Sequence, residues 1–257
     1  MAIALVISDT HDNIQAFRRL LKVTDFDLLI LAGDICEFRC NVFYHELIKI
    51  PVPIIIVPGN HDCVPCFEAM SKKLRNLIIL KKDVILIDIN GKEIYIGGLG
   101  GVLSRKRSDM HRFSYDDLVR FANKLLQMER RLDILITHEC AKKCSDVIPF
   151  TGGARGGKRA LYLIHILGQP RIHVCGHMHV PKIERKGETI CMNPGFGFSG
   201  MGGLIHLDKW TCELFRISFK YDFEYEWRII YGYNWVRNVK RSYYRILENE
   251  ALEMMRE

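Results

Sequence analysis

The residues of this chain best suited to chemistry fall in four short clusters: Asp9-Thr10-His11, Gly33-Asp34, Gly59-Asn60-His61-Asp62 and Gly176-His177-Met178-His179. A separate His138 lies between the third and fourth. Asp9, His11, Asp34, Asn60, His138, His177 and His179 are enough ligands for two divalent metals sharing one carboxylate. Carboxylate and amide oxygens mixed with neutral imidazole nitrogens suit Mn, Fe, Ni or Zn, with Mn favoured. A pair of such ions serves phosphoryl chemistry: one turns water into a hydroxide nucleophile, and both neutralise the oxygens of an in-line displacement.

Elements that end at one edge must position these residues. An apolar run precedes each cluster: Ala2 to Ile7 before Asp9, Leu28 to Leu31 before Asp34, and Ile54 to Val57 before Asn60. Ile134 to Ile136 and Ile172 to Cys175 precede His138 and His177 in the same way. Short continuous apolar runs read as strands buried on both faces. Ligands at their carboxyl ends then converge where α/β proteins place their sites.

D-x-H, G-D-x-x-E, G-N-H-D, a lone His and G-H-x-H, in this order, resemble the calcineurin-like metallophosphoesterase superfamily over about residues 1–215. The resemblance implies Asp9, His11 and His179 on a first metal, Asn60, His138 and His177 on a second, and Asp34 as the bridge. It implies that His61 is no ligand but contacts the phosphate and protonates the leaving group. Glu37 stands where many members carry Asp, and is assigned to orient His61. Asn193-Pro194-Gly195 resembles a turn that many relatives carry, and is read as structural. The implied fold is a four-layer α/β-β/α sandwich of two mixed sheets flanked by helices, which periodicity alone does not give.

A single Asp or His after a strand is ordinarily a satisfied turn residue, but five clusters in family order argue against coincidence. A scaffold that kept the fold and lost its chemistry should have shed ligands, His61 above all, and none is missing. Two alternatives to a phosphodiesterase or phosphomonoesterase stay open: a metal-dependent nuclease and a non-catalytic interaction scaffold on the same fold.

At 257 residues, 48% hydrophobic and 26% charged, the chain suits a compact domain over residues 1–217 and an appendage over 218–257. No apolar run approaches the roughly 20 residues of a membrane span. Met1-Ala2-Ile3-Ala4 lacks the charged start of a signal peptide, so the expected setting is cytoplasmic. The net charge of +7 fits a phosphate-bearing substrate, a nucleotide included, or a nucleic acid.

Helices are expected from Asp12 as cap to about Val23, and near 40–49, 65–74, 115–130 and 157–167. Strands are expected around 77–80, 84–89, 93–96, 182–185, 188–192, 203–207 and 212–219, with Asn90-Gly91 as a hairpin turn. Two Gly-rich basic loops are expected to frame the site. The first is Gly97-Gly98-Leu99-Gly100-Gly101 leading to Arg105-Lys106-Arg107. The second runs from Thr151 to Arg159, with Arg155 the candidate phosphate-binding side chain.

Three cysteine pairs, Cys36/Cys40, Cys63/Cys66 and Cys140/Cys144, follow three of the ligand clusters. Unrelated buried thiols, disulfides and a further metal site all stay open. If the clusters converge, at least one sulfur contact between different loops is expected. Cys175, Cys191 and Cys212 lie in strand-like runs and read as core. In the appendage, Phe219 to Trp227 alternate aromatic with charged residues, and a charged helix is expected from Asn234. Packing on the parent domain or a homodimer contact is favoured there over a nucleic-acid platform.

Overall fold

The computed structural model describes residues 1–104, 109–148 and 156–218. The appendage, Arg105 to Arg107 and Arg155, with the expectations placed on them, lie outside the described residues. In chain order the elements are β1 (Ile3–Ile7), α1 (Ile14–Leu20), β2 (Leu28–Leu31), α2 (Cys40–Leu47), β3 (Ile54–Ile56), α3 (Val64–Lys73), β4 (Leu77–Ile79) and β5 (Lys82–Ile89). They continue as β6 (Lys92–Leu99), β7 (Val102–Leu103), β8 (Arg112–Phe113), α4 (Tyr115–Leu126), β9 (Ile134–Thr137), α5 (Arg159–Gly168) and β10 (Ile172–Cys175). The last are β11 (Lys182–Lys186), β12 (Thr189–Asn193), β13 (Met201–His206) and β14 (Thr211–Arg216).

Two six-stranded sheets result. The first has the order β14-β13-β1-β2-β3-β4 and the second β11-β12-β10-β9-β6-β5. β1 to β4 run parallel, with β13 antiparallel to β1. β6, β9, β10 and β12 run parallel, with β5 and β11 antiparallel at the edges. Both sheets are therefore mixed, and the parallel strands of each send their carboxyl ends to one rim.

Strand alternation divides the core into layers. Ala4, Val6, Leu28, Ile30 and Ile55 of the first sheet meet Ile94, Ile96, Ile134, Ile136, Ile172 and Val174 of the second. The intervening Leu5, Ile7, Leu29, Leu31, Ile54 and Ile56 face the other way, onto Phe17 of α1, Phe43 of α2 and Phe67 of α3. On the far side, Leu135 and Cys191 pack beneath Phe121 of α4 and Leu161 and Ile164 of α5. The result is a four-layer α/β-β/α sandwich. No helix among the described residues is long and apolar enough to cross a membrane.

Two local expectations need correction. The cap of α1 is Asn13, whose side chain accepts from the Ala16 N–H, and α1 stops at Leu20. Asp12 instead receives the N–H groups of Glu37, Phe38 and Arg39. The glycines at 97 and 98 form no phosphate loop; they are interior to β6, between β5 and β9. A Cβ on Gly98 would run into Leu80, and one on Gly97 would crowd Leu132. Close packing on both faces of this strand is the reason for glycine there.

Candidate metal centre

Five loops meet at the common rim. Asp9 and His11 follow β1, Asp34 follows β2, Asn60 and His61 follow β3, His138 follows β9, and His177 and His179 follow β10. Backbone hydrogen bonds join these loops. Asp9 N–H donates to Gly33 O (2.9 Å), His11 N–H to Asp34 O (3.0 Å) and Gly176 N–H to His138 O (2.9 Å). Asp9, His11, Asp34, His177 and His179 all have positive φ, between 42° and 63°. Non-glycine residues rarely adopt that conformation, and it concentrates at functional sites.

The side chains form two groups, Asp9/His11/His179 and Asp34/His138/His177, whose ligand atoms lie within 4.8 Å of one another in each group. In the first, His179 Nε2 stands 3.2 Å from Asp9 Oδ1 and 3.3 Å from His11 Nε2. In the second, His138 Nε2 stands 3.2 Å from Asp34 Oδ2. The same Asp34 oxygen is 3.8 Å from His11 Nε2, so Asp34 lies between the groups. Its other oxygen accepts the His61 N–H at 2.8 Å.

Two atoms decide whether metal ions fit. Asn60 Oδ1 and His138 Nε2 are buried with no hydrogen-bond partner. His138 Nδ1 donates to Ala32 O at 2.9 Å, so Nε2 is the nitrogen turned to the site. Burial pushes this ring down, but Asp34 foremost outweighs it and raises the metal-free ring to about 10, so that a bound cation would take the place of the proton on Nε2. A buried lone pair without a partner costs about 1–3 kcal/mol, and a cation among oxygen and nitrogen donors removes that cost. The donor set is hard to borderline, as divalent Mn, Fe and Zn require.

The electrostatics agree. Burial pushes Asp34 up, but the surrounding imidazoles, His138 foremost, outweigh it and hold the carboxyl well below its usual range. Burial likewise pushes Asp9 up and is outweighed by His179 and His138. Burial and the neighbouring His138 bring His177 down to about 4, and burial lowers His11. Ionised carboxylates and the lowered His11 and His177 suit metal binding, and a metal would displace the proton that Asp34 holds on His138.

His61 lies next to the first group, with its ring centroid 5.5 Å from that of His11 and its Nδ1 3.5 Å from Glu37 Oε2. The structure thus places Glu37 beside His61. Asn193 accepts the Gly195 N–H and donates to Gly176 O, so the Asn-Pro-Gly turn braces the loop that carries His177.

Two contributors are not evident from the sequence. Asp62 receives four backbone N–H groups, from Asp34, Ile35, Cys36 and Gly59, at 2.6–2.9 Å. Phe196 stacks on His179, with centroids 4.5 Å apart and planes at 17°. Asp62 is visible as the last letter of G-N-H-D, but a backbone-stapling carboxylate has no spacing of its own. Phe196 follows the Asn-Pro-Gly turn directly.

The cysteines pair differently from the simplest expectation. Cys63, at the cap of α3, and Cys66, in its first turn, form a disulfide, with the Cys40 sulfur within 4.8 Å of both. The expected contact between two of the six loop cysteines, a disulfide or a shared metal, is not formed as a disulfide: Cys36, Cys40 and Cys144 are free, and Cys40 only comes near the Cys63–Cys66 pair. Cys36 Sγ lies 2.7 Å from Cys40 Sγ. Cys140 joins Cys175, whose strand-like run alone reads as plain core. These strands run parallel and in register, Thr137 beside Cys175, which brings the loop after β9 to the end of β10.

The family model of the calcineurin-like phosphoesterase superfamily domain matches residues 1–198. No curated protein matches the chain. Among solved structures, the protein TT1561 of Thermus thermophilus is similar, with TM-score 0.66 and 15% identity over 84% of this chain and 99% of the other. A structure described as a novel archaeal phosphodiesterase has TM-score 0.51 and 17% identity over 84% and 99% of the two chains. The phosphopantetheinyl hydrolase of Mycobacterium tuberculosis has TM-score 0.53 and 13% identity over 76% and 90%. At these identities the solved structures bear on the fold alone; the family model, covering most of the chain, shows that the protein belongs to the calcineurin-like phosphoesterase superfamily.

Proposed function

We propose that this chain is a dinuclear metal-dependent phosphoric ester hydrolase, acting on phosphodiesters or phosphomonoesters. The observation that carries the reading is the pair of buried, unpartnered atoms, Asn60 Oδ1 and His138 Nε2, beside an Asp34 that lies between two ligand groups. Asp9, His11 and His179 would hold one ion, Asn60, His138 and His177 the other, and Asp34 both. Manganese is the first candidate, with Fe, Ni and Zn as alternatives. When bound, such a pair supplies Lewis acidity at phosphoryl oxygens and activates water.

The chain's own residues do the rest. His61 is held by its backbone N–H on Asp34 and by Glu37 at Nδ1. That leaves Nε2 to carry the proton given to the leaving oxygen. Glu37 fixes the ring. Phe196 forms an apolar wall against His179 and restricts that ring. A Cβ on Gly59 would overlap the Asp34 carboxylate, so glycine is what lets the β3 loop approach the bridging position. Arg155 remains the proposed phosphate-binding side chain. We favour diesters, the substrate class named for one structural neighbour.

The test is to load the purified protein with Mn²⁺, count ions per chain, and screen phosphate mono- and diesters. Two ions beyond any sulfur-bound metal, and hydrolysis that depends on them, are expected. No more than one such ion after loading, or a loaded protein inert on every ester, overturns the reading.

A further inference from the structure

Outside the rim, Cys144, His165, His173 and Cys191 converge on the opposite side of the second sheet. Cys144 comes from the loop after β9, His165 from α5, His173 from β10 and Cys191 from β12. All four are buried, and their ligand atoms lie within 4.8 Å of one another. His173 and Cys191 are register partners on adjacent parallel strands, which puts their side chains on one face. Neither cysteine is in a disulfide.

The hydrogen bonds determine which nitrogen faces the cluster. Thr137 Oγ1 donates its one proton to Glu139 O at 2.8 Å. It must therefore accept from His173 Nε2–H, 2.9 Å away. His173 Nδ1 then turns a lone pair inward, and burial keeps the ring neutral. His165 Nδ1 faces it at 3.2 Å, with Cys144 Sγ 3.8 Å from His165 Nδ1. Around a tetrahedral zinc ion, two nitrogens stand about 3.3 Å apart and a nitrogen and a sulfur about 3.6 Å, given bonds of roughly 2.0–2.1 and 2.3 Å. The measured separations match that arrangement. A second ring partner that fixes the tautomer, here Thr137, is the usual companion of a ligating histidine.

We propose that Cys144, His165, His173 and Cys191 form a structural Cys₂His₂ site for zinc, separate from the rim centre. The site would fasten the loop that begins at His138 to α5 and to two strands of the second sheet. The same loop is fastened a second time by Cys140–Cys175. A closed four-ligand set leaves no position for substrate, so the role is structural.

Cobalt distinguishes this site from the rim, because the rim ligands contain no sulfur. The full chain, as the Cys36→Ala/Cys40→Ala/Cys63→Ala/Cys66→Ala variant to remove the other close sulfurs, is expressed with Co²⁺ in place of Zn²⁺. A thiolate-to-cobalt charge-transfer band and intense tetrahedral d–d absorption are expected. Adding Cys144→Ser and Cys191→Ser should abolish the charge-transfer band. If those additions prevent folding, the parent variant still decides, since absence of the band there overturns the proposal. A band that survives in the folded Cys144→Ser/Cys191→Ser protein overturns it as well.

Discussion

The two oxygens of Asp34 face different neighbours: one faces His11 and His138, the other receives the His61 N–H. The metal position and the acid are thereby tied to one carboxylate, yet their mutants should separate. His61→Ala should keep both ions and lose roughly 10²–10⁴-fold in kcat, the scale of general-acid catalysis. Asp34→Ala should lose metal together with activity. Metal counts and turnover on an ester with a poor leaving group make the comparison, and near-wild-type turnover of His61→Ala would remove its assigned role. Asp62 is a different case. Its Oδ1 accepts from Ile35 and Cys36 and its Oδ2 from Asp34 and Gly59. Asp62→Asn sets an NH₂ group against two of those donors and should cost about 1–3 kcal/mol. Metal affinity should fall with it, because Asp34 and the Asn60 loop lose their shared anchor. An unchanged Tm with an unchanged metal content would show that the staple is dispensable.

At the level of elements, the sequence was legible where a strand ended in a ligand. The runs before Asp9, Asp34, Asn60, His138 and His177 all appear as parallel strands. Legibility failed where one residue type serves two purposes. Gly97 and Gly98 carry the composition of a phosphate loop, but here glycine permits close packing inside a central strand. The Cys₂His₂ cluster was illegible for another reason: its members come from four elements and show no metal-binding spacing until parallel pairing brings them together. Capping signals lay between these extremes. The helix near 115–130 was expected, while its capping box, Ser114 with Asp117, is seen only in the structure. Ser114→Ala should cost about 1 kcal/mol. Because α4 packs on the second sheet away from the rim, kcat should not change. A thermal melt beside an activity assay checks both halves, and a loss of turnover at full folding would link α4 to the site.

For the molecule as a whole, the candidate centre sits across the seam between the two sheets. Asp9, His11, Asp34 and Asn60 come from the first sheet, and His138, His177 and His179 from the second. Without metal the seam is bridged at this rim by Asp9, which accepts the His177 N–H at 3.0–3.2 Å, and by His138, whose Nδ1 donates to Ala32 O at 2.9 Å. Below it, Ala4, Val6, Ile30, Ile134, Ile136 and Val174 fill the space between the sheets without metal. The metal-free protein should therefore stay folded and unfold cooperatively. Ions that bind only the assembled seam add RT ln(1 + [M]/Kd), about 2.7 kcal/mol at a hundredfold excess over Kd. The Tm should accordingly climb with Mn²⁺ concentration and fall back on adding EDTA. His138→Ala removes a ligand of the second sheet, so its Tm should respond less steeply to Mn²⁺ than that of the wild type. Differential scanning calorimetry across a Mn²⁺ series tests this. A wild-type Tm that ignores Mn²⁺ while metal content saturates would mean that the ions bind the unfolded chain as tightly as the folded one, and a site assembled across the seam would have to be given up.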